Sequence, residues 1–246
     1  MAHNEHIKGP GLLYVTSKIS RTDIMDYDTY MKWYDEDHIA EIIETSGIKS
    51  AYRYIDIDKN ASKPYLAFYP MEELGFTLGA EFRNIRVKSD LLPGTGICYD
   101  LADIDVRYVG LLGQRGTRSG VAKYLLSTAM EPSQNIADAA AEKWLDNTQV
   151  LASKIPGYCR TTYYRLLYAR TNAQSRALKG LPTIDEPTPE PPTWQAIHEF
   201  SEPIDASVFD NIKNEEESRA ILADAKQVEL RIFELRKAHG AKKFFD

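Results

Sequence analysis

The chain has 246 residues, 43% of them hydrophobic, with 30 basic against 36 acidic side chains and a formal charge of -6. That is apolar matter enough for a folded core and the wrong charge balance for a nucleic-acid partner. Two cysteines make neither a disulfide framework nor a thiolate metal cage, and no run of 18 apolar residues marks a membrane span; the expectation is a reduced, cytoplasmic protein with no membrane partner.

Residues 11–19 follow a Gly-Pro-Gly punctuator and carry the aromatic and β-branched content of a first strand. A helix comes next, because Tyr27, Tyr30, Tyr34, His38 and Ile42 fall on one face at ~100° per residue and Gly47 stands where it should stop. Ser50–Ile57 and Tyr65–Tyr69 read as two further strands. Glu72–Ile85 reads as a second helix weakened by Gly75 and Gly79, and a strand follows near 98–111.

The same order then recurs. Tyr124–Ala129 is a strand, Ile136–Ala152 a helix stopped at Pro156-Gly157, Thr161–Ala169 and Trp194–Phe200 strands, Val208–Ala223 a helix and Val228–Leu235 a last strand. Leu13 and Tyr124 stand 111 positions apart, as do Trp33 and Trp144; Gly47 and Gly157 stand 110 apart. Further on, Tyr65 and Trp194, and Tyr99 and Val228, are 129 apart. The jump locates an insertion at 171–192, with five prolines between 182 and 192, expected to be a stiff extended linker or flap. The expected division is a first unit over 1–115 and a second over 116–246.

Each β-α-β-β-α-β unit is a ferredoxin-like sheet with helices on one face. Its other face needs cover. Two such α+β units supply it either by curling into one eight-stranded barrel with room for a small ligand, or by packing back to back without a cavity.

The run Trp33-Tyr34-Asp35-Glu36-Asp37-His38-Ile39, with Gly47 and the Arg53-Tyr54 strand, resembles the EthD-like branch of the dimeric α+β barrel superfamily. The stretch Ala169–Leu178 is similar to one found in fungal members of tandem arrangement. The resemblance implies a barrel made of two ferredoxin-like units with a ligand cavity between sheet and helices. It also implies relatives that include polyketide cyclases, cofactor-independent monooxygenases, lactone isomerases, hydroxynitrile lyases, decarboxylase-like proteins and haem-binding branches. The second unit departs from the motif: Trp144 is followed by Thr148-Gln149 where the first unit has Asp37-His38. One working pocket beside one degenerate copy is the expectation.

His38 is the side chain best suited to take and return a proton near neutral pH, unless it is simply a packed histidine of the helix surface. Tyr34 lies one turn away as a stabilising donor, and Trp33 and Ile42 flank the same helix. Adjacent Glu36 and Asp37 diverge from the ring, so a carboxylate from the strand 98–111 is the alternative orienting group: Asp100, Asp103 or Asp105, of which Asp103 is preferred and shares a face with Asp105. Among the 15 tyrosines, Tyr14, Tyr34, Tyr65, Tyr69 and Tyr99 are candidates for stacking on a planar ligand and donating to a developing oxyanion, with core packing as the alternative for each. Tyr14 points either into the barrel or towards the helices. Arg53 is a candidate anion anchor, and His198, 129 positions after Tyr69, a candidate wall of the second cavity. The donor-rich run Arg170–Arg176 reads chiefly as a fastening for the insertion.

The chain has no GxGxxG after its first strand, no Walker A sequence, no HExxH and no GxSxG, and its five scattered histidines make a facial metal cluster improbable. Haem, needing one axial histidine, stays open, but no cofactor and no metal are assigned. The expected function is that of a cofactor-independent lyase, cyclase or decarboxylase that moves a proton on a small apolar, aromatic or polyketide-like molecule. The alternatives are a non-catalytic binding or pathway-accessory protein and a cofactor-independent monooxygenase. A homodimer is permitted.

Overall fold

The computed structural model describes residues 6–117, 121–134 and 137–243. Strand β1 (Gly11–Ile19) leads to helix α1 (Tyr27–Trp33), a single π-helical turn (Tyr34–His38) and α2 (Ile39–Glu44), capped at its start by the Asp26 carboxylate on the Thr29 amide at 2.7 Å. Strands β2 (Ser50–Asp56) and β3 (Tyr65–Met71) follow, then a 3₁₀ turn (Leu74–Leu78), the short helices α3 (Ala80–Asn84) and α4 (Cys98–Leu101), and β4 (Ala102–Gly116). The second unit runs β5 (Tyr124–Pro132), α5 (Asp138–Ala152), β6 (Tyr158–Arg170), α6 (Asn172–Leu178), β7 (Trp194–Phe200), α7 (Val208–Asn214), α8 (Glu216–Ala223) and β8 (Ala225–Gly240).

The eight strands form a closed antiparallel barrel in the order β1-β3-β2-β8-β5-β7-β6-β4. Each unit contributes a four-stranded sheet, and the bare edges are satisfied across the units, β2 on β8 and β4 on β6. Closure rules out back-to-back packing. Alternation along the strands then sorts every side chain. Leu12 and Tyr14 enter an interior cluster with Tyr52, Phe68, Tyr164 and Phe233, whereas Leu13 and Val15 face the helices of the first unit. Tyr14 is therefore an interior residue, with the Arg107 guanidinium 5.7 Å from its ring centre.

Beyond the apolar plug the interior is charged and paired. Arg107 forks onto Glu229 at 2.8 and 3.1 Å, Arg231 donates to Asp56 at 2.7 Å, and Arg160 donates to Glu199 at 2.9 Å. Asp103 and Asp105 share a face as expected, but it is the face away from the helices. Lys63 holds both, at 2.8 and 2.6 Å, and Lys18 stands 3.7 Å from Asp103.

Several elements differ from the sequence expectation for local reasons. The helix expected over Glu72–Ile85 is a 3₁₀ turn and a short helix, because Gly79 is extended between them (φ -78°, ψ 165°). Tyr99 and Asp100 lie on α4 before the last strand of the first unit begins. The helix expected over Val208–Ala223 breaks at extended Glu215, which caps α8. Ile136, the expected start of the second unit's first helix, lies outside the described residues. His198 pairs with Leu126 as Tyr69 pairs with Leu13, so the strand counterpart of Leu13 is Leu126 rather than Tyr124; both lie on one face. Most consequential, the insertion is not wholly extended: it opens with α6, whose Thr171 and Gln174 form a reciprocal capping box.

The Arg160–Glu199 pair is almost fully out of water, with side chains 3% and 1% exposed. Removing one partner strands the other. Glu199→Ala is expected to cost about 3–5 kcal/mol in a denaturant titration, whereas Lys226→Ala, on an exposed ion pair, is expected to leave the midpoint nearly unchanged.

Candidate functional site

The sequence places an extra residue in the first unit's helix, and the structure shows where it goes. The offset between units falls from 111 at the tryptophans to 110 at the glycines. The π-turn Tyr34–His38 lies between those anchors and takes up one residue. By this register the second unit's residue opposite His38 is Thr148.

The turn is pinned on its outer side. Asp35 accepts from Arg53 Nε and Nη2 at 2.6 and 2.8 Å, from Lys237 at 3.1 Å, and lies 3.0 Å from His239 Nε2. Burial alone would raise the Asp35 pKa, but the hydrogen bonds from His239 and Arg53 outweigh it and hold the carboxyl well below its usual range. Arg53 is thus a clamp on the helix and not an anchor for substrate.

With the turn fixed, Tyr34, His38 and Ile42 form one wall of a cavity of about 80 Å³. Leu13 and Val15 of β1, Tyr69 of β3, and Ile104 and Val106 of β4 form its floor. Phe82, Ile85, Val87, Cys98 and Tyr99 line it from the segment between β3 and β4, and Arg170 and Lys179 reach it from the second unit. Of the expected residues, Tyr34, His38, Ile42, Tyr69 and Tyr99 therefore converge. Trp33 lies behind the wall, stacked on the His38 ring at 4.9 Å and 17°. Tyr65 packs instead on Tyr27 and Tyr30 at the edge of the sheet. Asp103 is on the wrong face of its strand to orient His38, and Asp100 is held by Thr95 and Arg176.

His38 Nδ1 is withdrawn from solvent and has no hydrogen-bond partner among the described residues. Burial, opposed by the charge of Asp37, pushes its pKa down to about 4; Lys179 lowers it further, and the Arg86 carbonyl favours a ring proton. At neutral pH the ring is uncharged, with one nitrogen free to accept. Burial also pushes the Tyr99 phenol up to about 12 and raises those of Tyr34 and Tyr69, so all three remain donors. The Cys98 thiol is likewise pushed up to about 12 and stays a thiol, a poor nucleophile.

In the second unit the matching position is occupied. His198 sits at the Tyr69 position, fully buried, with Nδ1 2.8 Å from Thr161 Oγ1 and Nε2 3.2 Å from Thr128 Oγ1. Thr148 Oγ1, opposite His38 by register, is 3.4 Å from Thr128 Oγ1. A hydroxyl-satisfied histidine fills the place of a wall, so His198 is a core residue. Phe82, Ile85, Val87, Cys98, Arg170 and Lys179 carry no periodic signal that assigns them to the first unit's cavity. The donor-rich run beginning at Arg170 points in the sequence to a fastening for the insertion or to an anion, not to that cavity.

No cluster of three or more His, Cys, Asp or Glu able to hold a metal occurs among the described residues, and no helix among them is long and apolar enough to cross a membrane. No family model matches the chain. It is 23% identical over 198 residues to the core atranone cluster protein 1 of Stachybotrys chlorohalonatus, covering 78% of this chain and 82% of that protein. In three dimensions it is similar to an anthrone oxidase-like protein of known crystal structure, with a TM-score of 0.56 at 12% identity over 98% of this chain and 96% of the other. The shared architecture is the dimeric α+β barrel, built here from one chain.

The buried histidine predicts an acid response. His38 has a folded-state pKa of about 4 against an ordinary 6.5, so between those values the unfolded chain binds a proton that the folded chain refuses. Its contribution to stability is present above pH 6.5 and is lost as the pH falls towards 4. Denaturation midpoints measured across that window are expected to fall less steeply in His38→Leu than in the parent.

Proposed function

We propose that this protein is a small-molecule enzyme whose first step is removal of a proton, by His38, from an aromatic or polyketide-like substrate in the first unit's cavity. The observation that carries the reading is the His38 ring in the lining of an apolar cavity edged with phenols, with its Nδ1 out of water and without a partner among the described residues. A substrate C–H or O–H presented to Nδ1 gives its proton to the ring; the bonding pair moves onto the substrate, and from a carbon onto a conjugated carbonyl oxygen. The enolate or phenolate formed is matched by phenol donors at Tyr34, Tyr69 and Tyr99.

A ring with a pKa near 4 is a weak base in the empty cavity. An oxyanion forming beside it in a site short of water stabilises the imidazolium, so transfer becomes favourable only as the substrate anion develops. Protonation at a second position, ring closure or loss of a carbon group can follow, giving isomerase, cyclase, lyase or decarboxylase outcomes. The division of labour we infer puts the chemistry in residues 1–115 and leaves 116–246 as barrel partner and source of two cavity residues. Trp33 through His38, with the stacked Trp33 and His38 rings, supports assignment to the EthD-like branch.

A second reading, cofactor-independent oxygenation of the same anion, is favoured by the three-dimensional likeness to an anthrone oxidase-like protein. Product formed under ¹⁸O-labelled dioxygen separates the two: label incorporation selects oxygenation, its absence the redox-neutral outcomes.

His38→Ala is expected to lower turnover, or deuterium exchange into a carbon acid such as anthrone, by about 10²–10⁴-fold while leaving the thermal unfolding transition cooperative. Full activity in that variant would remove the mechanism. A protein that binds the compound without consuming it would instead be a carrier.

A further inference from the structure

Cations withdrawn from water in this chain are matched to carboxylates, with two exceptions. Among the described residues, Arg53, Lys63, Arg107, Arg160, Arg176 and Arg231 are buried or half-buried, and each sits on an aspartate or glutamate. Arg170 and Lys179 are also half-buried, and neither has one. Arg170 donates through Nε to Ser175 Oγ at 3.0 Å and through Nη1 to the Tyr108 hydroxyl, with its guanidinium 5.2 Å from that ring's centre. Lys179 donates from Nζ to the carbonyls of Arg83 and Ile85 at 2.5 and 2.7 Å. Every one of these partners is neutral.

Both exceptions line the same cavity as His38. Two positive charges half withdrawn from water with no carboxylate in direct contact are costly; burial together with the charge of Arg170 pushes the Lys179 pKa down, against the opposing charge of Glu41. Their position is fixed by fold: α6 ties back to the first unit through Asn172, whose side-chain amide donates to the Tyr99 carbonyl at 3.0 Å, and through Arg176 on Asp100. A bound carboxylate would supply the missing counter-charge, and the guanidinium offers it a planar fork.

We infer that the cavity's ligand is an acid, an aromatic or apolar body carrying one carboxylate, held by Arg170 and Lys179 of the second unit. This rests on reading the cavity as the substrate site, and it makes substrate selection a property of the unit that does no proton chemistry. Apolar walls grip the body while the cations fix the end of the molecule, leaving the remaining edge to His38.

Calorimetric titration with benzoate and 2-naphthoate, against benzamide and 2-naphthamide as uncharged matches, tests it in the intact protein. At neutral pH and low salt we expect at least one acid to bind tenfold or more tightly than its amide, with the difference shrinking as salt is raised. Arg170→Gln and Lys179→Met are each expected to erase most of that preference. Arg170→Lys, which keeps the charge, is expected to retain part of it. Equal affinity for acids and amides, or no binding of either acid, overturns the inference, and the parent protein alone gives that answer if a variant fails to fold. His38→Ala is expected to keep the preference for acids over amides, and a protein with no acid preference whose turnover still depends on His38 refutes this inference and spares the proton-transfer mechanism.

Discussion

A four-stranded ferredoxin-like sheet has two bare edges and two faces, and its own helices cover only one face. Everything in this molecule follows from how the second face and the edges are satisfied. Pairing β2 with β8 and β4 with β6 closes both edges at once and turns the uncovered faces inward, where Tyr52, Phe68, Tyr164 and Phe233 fill the barrel. The interior is thereby spent on packing and on matched ion pairs. A polar hollow lined by Asp56, Arg107, Glu229 and Arg231 remains among those pairs, and the apolar space beside His38 lies on the outside of the sheet, beneath the helix of the first unit.

The two halves then differ at the helix. In the first unit a π-turn inserts one residue and brings His38 over the sheet, pinned from behind by Asp35 and its basic partners. In the second unit the helix is regular, Thr148 stands opposite that position, and His198 on the strand is satisfied by threonine hydroxyls. Both histidines are uncharged at neutral pH, His198 fully buried and His38 half-buried, and of the two His38 retains a nitrogen without a hydrogen-bond partner among the described residues. The difference between a core histidine and a candidate base here is one hydrogen bond.

Much of the fold was legible because alternation and repeated order are local signals that survive without tertiary information. The element order, the two units and the face shared by Tyr34, His38 and Ile42 all follow from spacing. What spacing does not carry is which face of a strand turns inward once a barrel closes, and this is why Asp103 and Tyr14 fall outside the cavity. Strand position alone does not distinguish a clamp from an anchor either: Arg53 holds Asp35 because the π-turn delivers that carboxylate to it. The contribution of Arg170 and Lys179 depends on a helix inside a proline-rich insertion crossing to the other unit, a contact between segments some 70 to 140 positions apart that no periodicity encodes. The drop in offset from 111 to 110 was the visible trace of the π-turn, readable only once the two glycines were known to be equivalent.

The central claim is that the His38 ring is neutral, shielded, and accepts at Nδ1. Nitrogen-15 NMR of imidazole-labelled protein, with the His38 signals assigned by their loss in the alanine variant, measures this directly. The account predicts a neutral ring with an unprotonated Nδ1 throughout pH 5–7, titrating near 4. A His38 ring that titrates at 6.5 or above in the ligand-free protein, or whose Nδ1 carries the proton in the neutral form, would contradict it.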